Sequence, residues 1–114
     1  MNIPFAVSGA LNDATVVSLR AVKSTANTLY VTKITLSIVT HANAKFVAIQ
    51  DNNGSPKVIA KHGDLTGAAG VPSVVHWDFG AEGIPLTLGK DLTCVSEAAG
   101  VTGYVYAEGI EHEG

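Results

Sequence analysis

The sequence contains little charge and a single cysteine. Charged residues make up 15% of its 114 residues and hydrophobic residues make up 46%, whereas soluble domains average about 25% charged residues. Cys94 is the only cysteine, so an intramolecular disulfide is excluded. Because interface cores are depleted in charge, the low charge of this small chain favours an oligomer. A monomer whose surface is coated with Thr, Ser, Asn and Gly is the alternative.

Basic residues are also scarce. Seven Lys and Arg against ten Asp and Glu give a formal net charge of −3, and the cations are scattered singly. Nucleic-acid binding requires a basic stripe, so no nucleic-acid partner is expected. No run approaches the ~20 apolar residues of a membrane span, and the first residues lack the pattern of a secretory signal. We therefore expect a chain made in the cytoplasm, without a membrane partner.

Motifs for catalysis and metal binding are missing as well. The chain has no G-x-S-x-G elbow and no phosphate loop ending in Gly-Lys-Ser/Thr. His62, Asp64, His76 and Asp78 could supply zinc ligands to a cupin-like enzyme, but their spacing is not a recognised zinc motif. Cys94 is interpreted as a small buried hydrophobe. We predict no enzymatic activity, no metal and no cofactor.

Short β-rich runs separated by glycine-bearing turns fill the chain, most clearly over residues 72–109. In residues 29–40, Ile34, Leu36 and Ile38 alternate with polar side chains, and this period of two is typical of a half-buried strand. The sequence predicts an all-β antiparallel sandwich, jelly-roll-like or tumour-necrosis-factor-like, with about eight strands. The connectivity stays open, because strand content does not determine strand order. The predicted strands are 15–19, 29–40, 45–50, 57–61, 73–79, 85–88, 91–97 and 101–108.

An extended N-terminal arm is predicted over residues 1–12, before a single sandwich domain over residues 13–114. Pro4 blocks a helix there, and Ile3, Phe5 and Val7 alternate with Pro4 and Ala6. Such an arm either pairs on a sheet edge or reaches a neighbouring molecule. We predict that Ile3, Phe5 and Val7 make contacts with a neighbour.

Alternation along the C-terminal strands separates core residues from outward-facing ones. It assigns His76, Asp78, Tyr104 and Tyr106 to the outside, where they form the predicted oligomer or partner surface. Exposed tyrosines suit protein interfaces and stacking on sugars, although half-buried strand tyrosines are common. His41 and His112 are assigned to a turn and to the tail, without a role. The predicted core residues are Val75, Trp77, Phe79, Val105 and Ala107.

Residues 28–110 contain a set of aliphatic, polar, glycine and proline positions that recur together in one known group of proteins: Val31, Thr32, Ile34, Leu36, Ser37, Phe79, Gly83, Ile84, Pro85, Leu86, Gly89, Lys90, Leu92, Val101, Gly103, Val105 and Gly109. With these positions the segment resembles small β-sandwich structural proteins of tailed bacteriophages. The resemblance implies a non-enzymatic virion component, namely a capsid decoration or cement protein. Such a protein sits as a homotrimer on the outside of the phage head and binds the major capsid protein, with the N-terminal arm tying neighbouring capsomers.

A carbohydrate-binding module of a phage tail or fibre is the alternative function. It would recognise host surface glycans through Tyr104, Tyr106 or polar groups in the loops. The two functions differ in what they predict: an oligomer that binds capsids, or a protein that binds sugars.

Overall fold

The computed structural model describes residues 2–12, 15–40, 46–63, 73–97 and 100–114. These residues form nine β-strands and no helix, close to the eight strands expected. His41 and Asp64 lie outside the described residues. The strands are β1 (Asn2–Ala10), β2 (Val17–Arg20), β3 (Thr28–Thr40), β4 (Phe46–Asp51), β5 (Val58–Gly63), β6 (Ser73–Asp78), β7 (Ile84–Pro85), β8 (Leu92–Ser96) and β9 (Thr102–His112).

The strands form two antiparallel sheets that pack as a sandwich. The first sheet has the order β1-β9-β3-β6, with the short β7 also paired to β3, and the second has the order β2-β8-β4-β5. The strand pairs are nested in sequence, because each pair lies between the two strands of the pair before it. They are β1–β9, β2–β8, β3–β6 and β4–β5. This is the connectivity of a jelly roll. The predicted all-β sandwich is confirmed, and the strand order supplies the connectivity that strand content left open.

Side chains that alternate along the central strands build the core between the sheets. The register of β3 against β9 shifts by one residue between Val31 and Lys33. Because of this bulge, both halves of the long β3 turn their aliphatic side chains inward. Burying each such side chain contributes about 1.5–3 kcal/mol. The fully buried aliphatic side chains include Leu29, Val31, Ile34, Leu36, Ile38, Val47, Ile49, Leu92, Val101 and Val105.

The N-terminal segment is a strand of the first sheet rather than a separate arm. Every residue of β1 is in register with one of β9, from Asn2 opposite His112 to Ala10 opposite Tyr104. Ile3, Phe5 and Val7 turn toward the core of their own chain, and Phe5 is only 7% exposed. Of the two alternatives for this segment, pairing on a sheet edge is the one that the structure shows, so residues 2–10 belong to the sandwich rather than preceding it. The ring of Phe5 is buried in this fold and is not available to a neighbour.

The predicted strands near the C-terminus differ from the structure in length. The run predicted over 85–88 shares only Pro85 with the two-residue β7, because Leu86 and Thr87 lie outside any strand and the chain turns at Leu88 and Gly89. The last strand continues to His112, four residues beyond the predicted end. This extension brings Glu111 into the core and His112 onto the sheet, so His112 does not belong to a free tail.

Candidate interaction face

The outer surface of the first sheet brings together the four residues predicted as a partner surface. Tyr104 and Tyr106 on β9 point away from the core and are 61% and 40% exposed. His76 and Asp78, on the edge strand β6, are exposed on the same face. Their outward orientation agrees with the alternation, and their role in binding stays a prediction. Of the predicted core residues, Val105 and Ala107 are buried, whereas Val75, Trp77 and Phe79 are half-buried.

An uncharged strip occupies one half of this face. One row across the four strands contains Ala10, Tyr104, Ser37 and Val74, and the next contains Ser8, Tyr106, Thr35 and His76. Neither row includes Asp, Glu, Lys or Arg. We call Val39, Val74, Tyr104 and Tyr106, all exposed large apolar or aromatic side chains of this half, the apolar patch. A partner that covers it has no charge to desolvate.

A charged row borders the apolar patch. Lys33 on β3 lies in register with Glu108 on one side and with Asp78 on the other. The Asp78 carboxylate accepts a hydrogen bond from the Gly80 amide at 2.9 Å. Partial burial, the charge of Glu108 and a hydrogen bond to Glu108 all raise the pKa of the Tyr106 phenol. The row thus separates the apolar patch from the rest of the outer face.

A groove adjoins the charged row, between the outward side of β9 and the turn that follows β6, and Lys33, Asp78 and Glu108 are part of its lining. It consists of two hollows of about 300 and 490 Å³ that share Ala81 and Ile110. His112 donates a hydrogen bond from Nδ1 to the Asn2 side-chain oxygen at 2.7 Å. Tyr30 packs edge-on against the His112 ring, with centroids 6.2 Å apart. Ile110 and His112, on the outward side of β9, therefore help to form one wall of the groove.

Glu111 is a fully buried carboxylate on the inner side of β9. It accepts hydrogen bonds from Arg20 Nη2 at 2.8 Å, from the Lys23 amide at 2.8 Å and from Asn27 Nδ2 at 2.6 Å. Burial alone would raise the pKa of Glu111, but these hydrogen bonds and the charge of Arg20 outweigh it, so the pKa is lowered. Because all three of these hydrogen bonds come from the segment 20–27, Glu111 fastens that segment to the sheet.

Asp51 holds a second set of loops in a similar way. Its carboxylate accepts the Lys57 amide at 2.9 Å, the Thr87 amide at 3.0 Å and the Thr87 hydroxyl. Burial would raise the pKa of Asp51, but the hydrogen bonds from Thr87 and Lys57 lower it. Asp51 is the last residue of β4, and its hydrogen bonds tie the β4–β5 connection to the segment between β7 and β8.

The candidate metal ligands are not brought together. His62 lies on β5 in the second sheet, whereas His76 and Asp78 lie on the outer face of the first. Among the described residues, no group of three or more His, Cys, Asp or Glu could hold a metal ion. Cys94 is fully buried, and burial raises the pKa of its thiol to about 11, so the nucleophilic thiolate is scarce at neutral pH.

Comparisons with known proteins are sparse. No protein-family model matches the chain, and no curated protein is similar to it in sequence. One solved structure that aligns with it comes from work described as "Bacillus endospore appendages form a novel family of disulfide-linked pili". That alignment covers 99% of this chain and 87% of the other, with 10% identity and a TM-score of 0.42. A likeness this distant carries no argument about function.

Across the described ranges, no helix is long and apolar enough to cross a membrane.

Proposed function

We propose that this protein is a non-enzymatic virion component, a capsid decoration protein that binds as a homotrimer to the major capsid protein on the outside of a phage head. The apolar patch is the observation that carries this proposal. Together with the low overall charge and the resemblance of residues 28–110 to phage structural proteins, it supports a protein that works by assembly. The patch stands on the central strands β3 and β9 and the edge strand β6, so its shape is fixed before a partner arrives.

The size of the patch favours many weak contacts over one strong contact. Strands lie about 4.8 Å apart and alternate side chains about 7 Å apart, so the patch covers roughly 300 Å². A stable pairwise interface needs about 800 Å² on each partner. A trimer that places three such patches on a repeating shell gains affinity by engaging several sites at once. This mechanism suits a protein that reinforces a completed lattice.

A pair of matched substitutions tests the proposal. Val74→Asp places a charge in the apolar patch, whereas Val58→Asp places the same charge on the edge strand of the second sheet. Val74 is 57% exposed and Val58 is 47% exposed, so neither substitution disturbs the core. We expect wild type and Val58→Asp to be trimeric by native mass spectrometry and to cosediment with expanded shells of the major capsid protein from the same genome. Val74→Asp should lose one or both properties.

Two results would contradict the proposal. The first is a wild-type chain that stays monomeric and ignores such shells at every concentration tested. The second is a Val74→Asp protein that assembles and binds shells as well as Val58→Asp does. Either result would remove the apolar patch as the binding surface.

Glycan recognition is the second candidate, because the Tyr104 ring is 61% exposed beside the hydroxyls of Ser37 and Thr35. An aromatic face flanked by hydrogen-bonding groups suits a sugar ring. A glycan array of host surface polysaccharides tests it, with Tyr104→Ala as the comparison. An array on which the wild-type protein binds nothing removes this candidate.

A further inference from the structure

The groove combines an apolar floor with an excess of negative charge. Ala81 and Ile110 line both of its hollows. Its rim contains Asp78, Glu82 and Glu108 against the single cation Lys33, and three carboxylates with one ammonium group leave a formal charge of −2. We infer that this groove binds an Arg or Lys side chain presented by an extended segment of a partner protein.

The chemistry of a long basic side chain matches both parts of the groove. Its aliphatic stem can lie on Ile110 and Tyr30, while its cationic end reaches the carboxylate of Glu82. Within the described part of the chain, Glu82 makes no hydrogen bond or ion pair, and it is exposed, so both of its oxygens can accept the paired donors of a guanidinium group. An acidic segment would meet repulsion from the same three carboxylates.

The length of the groove fits a short stretch of extended chain. Glu108, Ile110 and His112 follow one another on the outward side of β9, about 7 Å apart. The groove therefore runs about 14 Å, which four or five extended residues span. Because the two hollows share Ala81 and Ile110 in their lining, they are adjacent, and alternate side chains of one segment can occupy both of them. This favours a peptide segment over a single small cation.

The inference rests on the proposed function only for the identity of the partner, which would be a surface segment of the capsid protein. The chemistry of the groove can be tested without a capsid. The probe is the peptide Ac-Gly-Arg-Gly-Arg-Gly-NH2, and its counterpart with citrulline in place of arginine has nearly the same shape without the charge. Both are titrated into the full ¹⁵N-labelled chain.

We expect the arginine peptide, and not the citrulline peptide, to shift the amide resonances of Glu82, Ile110 and His112. Glu82→Gln should weaken the binding about fivefold, the effect of losing one exposed charged contact. Glu97→Gln is the matched control, because Glu97 is also exposed but follows β8 in the second sheet. It removes the same charge and should leave the binding unchanged.

Three results would overturn the inference: no shifts around the groove, equal weakening by Glu97→Gln and Glu82→Gln, or equal binding of the citrulline peptide. The first would show that the groove takes no basic peptide, and the second that only net charge matters. The two proposals can fail separately. Peptide binding that depends on Glu82 in a protein that ignores capsids contradicts the decoration function alone, whereas capsid binding without peptide binding contradicts the groove alone.

Discussion

The ring of Phe5 lies against Gly109, directly opposite it in the pairing of β1 with β9. A Cβ atom at position 109 would stand 2.6 Å from Cζ of Phe5 and would overlap the Tyr30 carbonyl oxygen. Arg20 lies over the same ring, with its guanidinium carbon 5.2 Å from the ring centroid. Because Gly109 has no side chain, the ring of Phe5 fits against it and packs in the core. This packing holds the edge strand β1 on the sheet.

Gly109→Ala should destabilise the protein by about 2–4 kcal/mol, because the neighbouring backbone cannot move away from the added methyl group. Gly54→Ala is the control, since a Cβ at position 54 meets no atom within 4 Å. It should change stability by less than about 0.5 kcal/mol. Urea unfolding of the three proteins measures both effects. Equal midpoints for Gly109→Ala and wild type would contradict the tight packing of β1 on β9.

Glu111→Gln should cost about 2–3 kcal/mol, because it removes the charge that pairs with Arg20 and one of the two strong acceptor oxygens. Glu97→Gln, on an exposed side chain, should change stability by less than about 0.5 kcal/mol. Thermal and urea unfolding at neutral pH compare the two variants. A Glu111→Gln protein as stable as Glu97→Gln would show that the buried carboxylate does not fasten the segment 20–27.

The lowered pKa of Glu111 also predicts how stability depends on pH. A carboxyl group whose pKa is lower in the folded state stabilises the fold fully at pH values above its ordinary pKa of 4.5. This stabilisation is lost as the pH falls through the lowered folded-state pKa. The difference in unfolding free energy between wild type and Glu111→Gln should therefore shrink on acidification. A difference that stays constant from neutral to strongly acid pH would contradict the linkage.

Asp51 and Thr87 should be energetically coupled, because the Asp51 carboxylate accepts both the amide and the hydroxyl of Thr87. In a double-mutant cycle with Asp51→Asn and Thr87→Val, we expect a coupling free energy of about 1–2 kcal/mol. Ser8→Ala, on the outer face of β1, should combine additively with Asp51→Asn. Additive effects in both cycles would mean that the contact contributes nothing to stability.

Cys94 should resist thiol reagents in the folded protein, because its side chain is fully buried and its pKa is raised to about 11. An added exposed cysteine, from Ser55→Cys in the β4–β5 connection, should react at least about 100-fold faster under the same conditions. In urea both thiols should react alike. Rapid labelling of Cys94 in the native wild-type protein would show that β8 opens far more readily than a central strand should.

The sequence predicted the strands but not all of their partners. The alternation of β3, β6 and β9 is visible in the sequence because one face of each strand meets the core. The arm was predicted because nothing local to residues 1–12 shows that their partner lies about 100 residues later. Gly109 was the available signal, since a glycine inside a strand often marks a close approach by another group.

The buried acids were missed for a related reason. A charged side chain is expected outside, and Glu111 sits among the polar residues that end the chain. Its position nevertheless follows the inward alternation of Val105, Ala107 and Gly109. Its partners Arg20, Lys23 and Asn27 are about 90 residues away, so their hydrogen bonds cannot be inferred from spacing. The outward tyrosines were predicted because orientation on a strand depends only on local alternation. The groove was not predicted, because it forms only where the turn after β6 lies beside β9, and local alternation does not show that contact.

The nested pairing of the strands has a consequence for biosynthesis. Among the described strands, β1 pairs with β9, which is synthesised about 100 residues later, or roughly 5–20 s at ordinary elongation rates. Throughout that time Phe5 has no Gly109 to pack against, and an apolar strand is open to wrong partners. Pro4, which cannot donate a backbone hydrogen bond, makes that strand a poorer template for aggregation. β1 can therefore complete its pairing only after β9 has been synthesised.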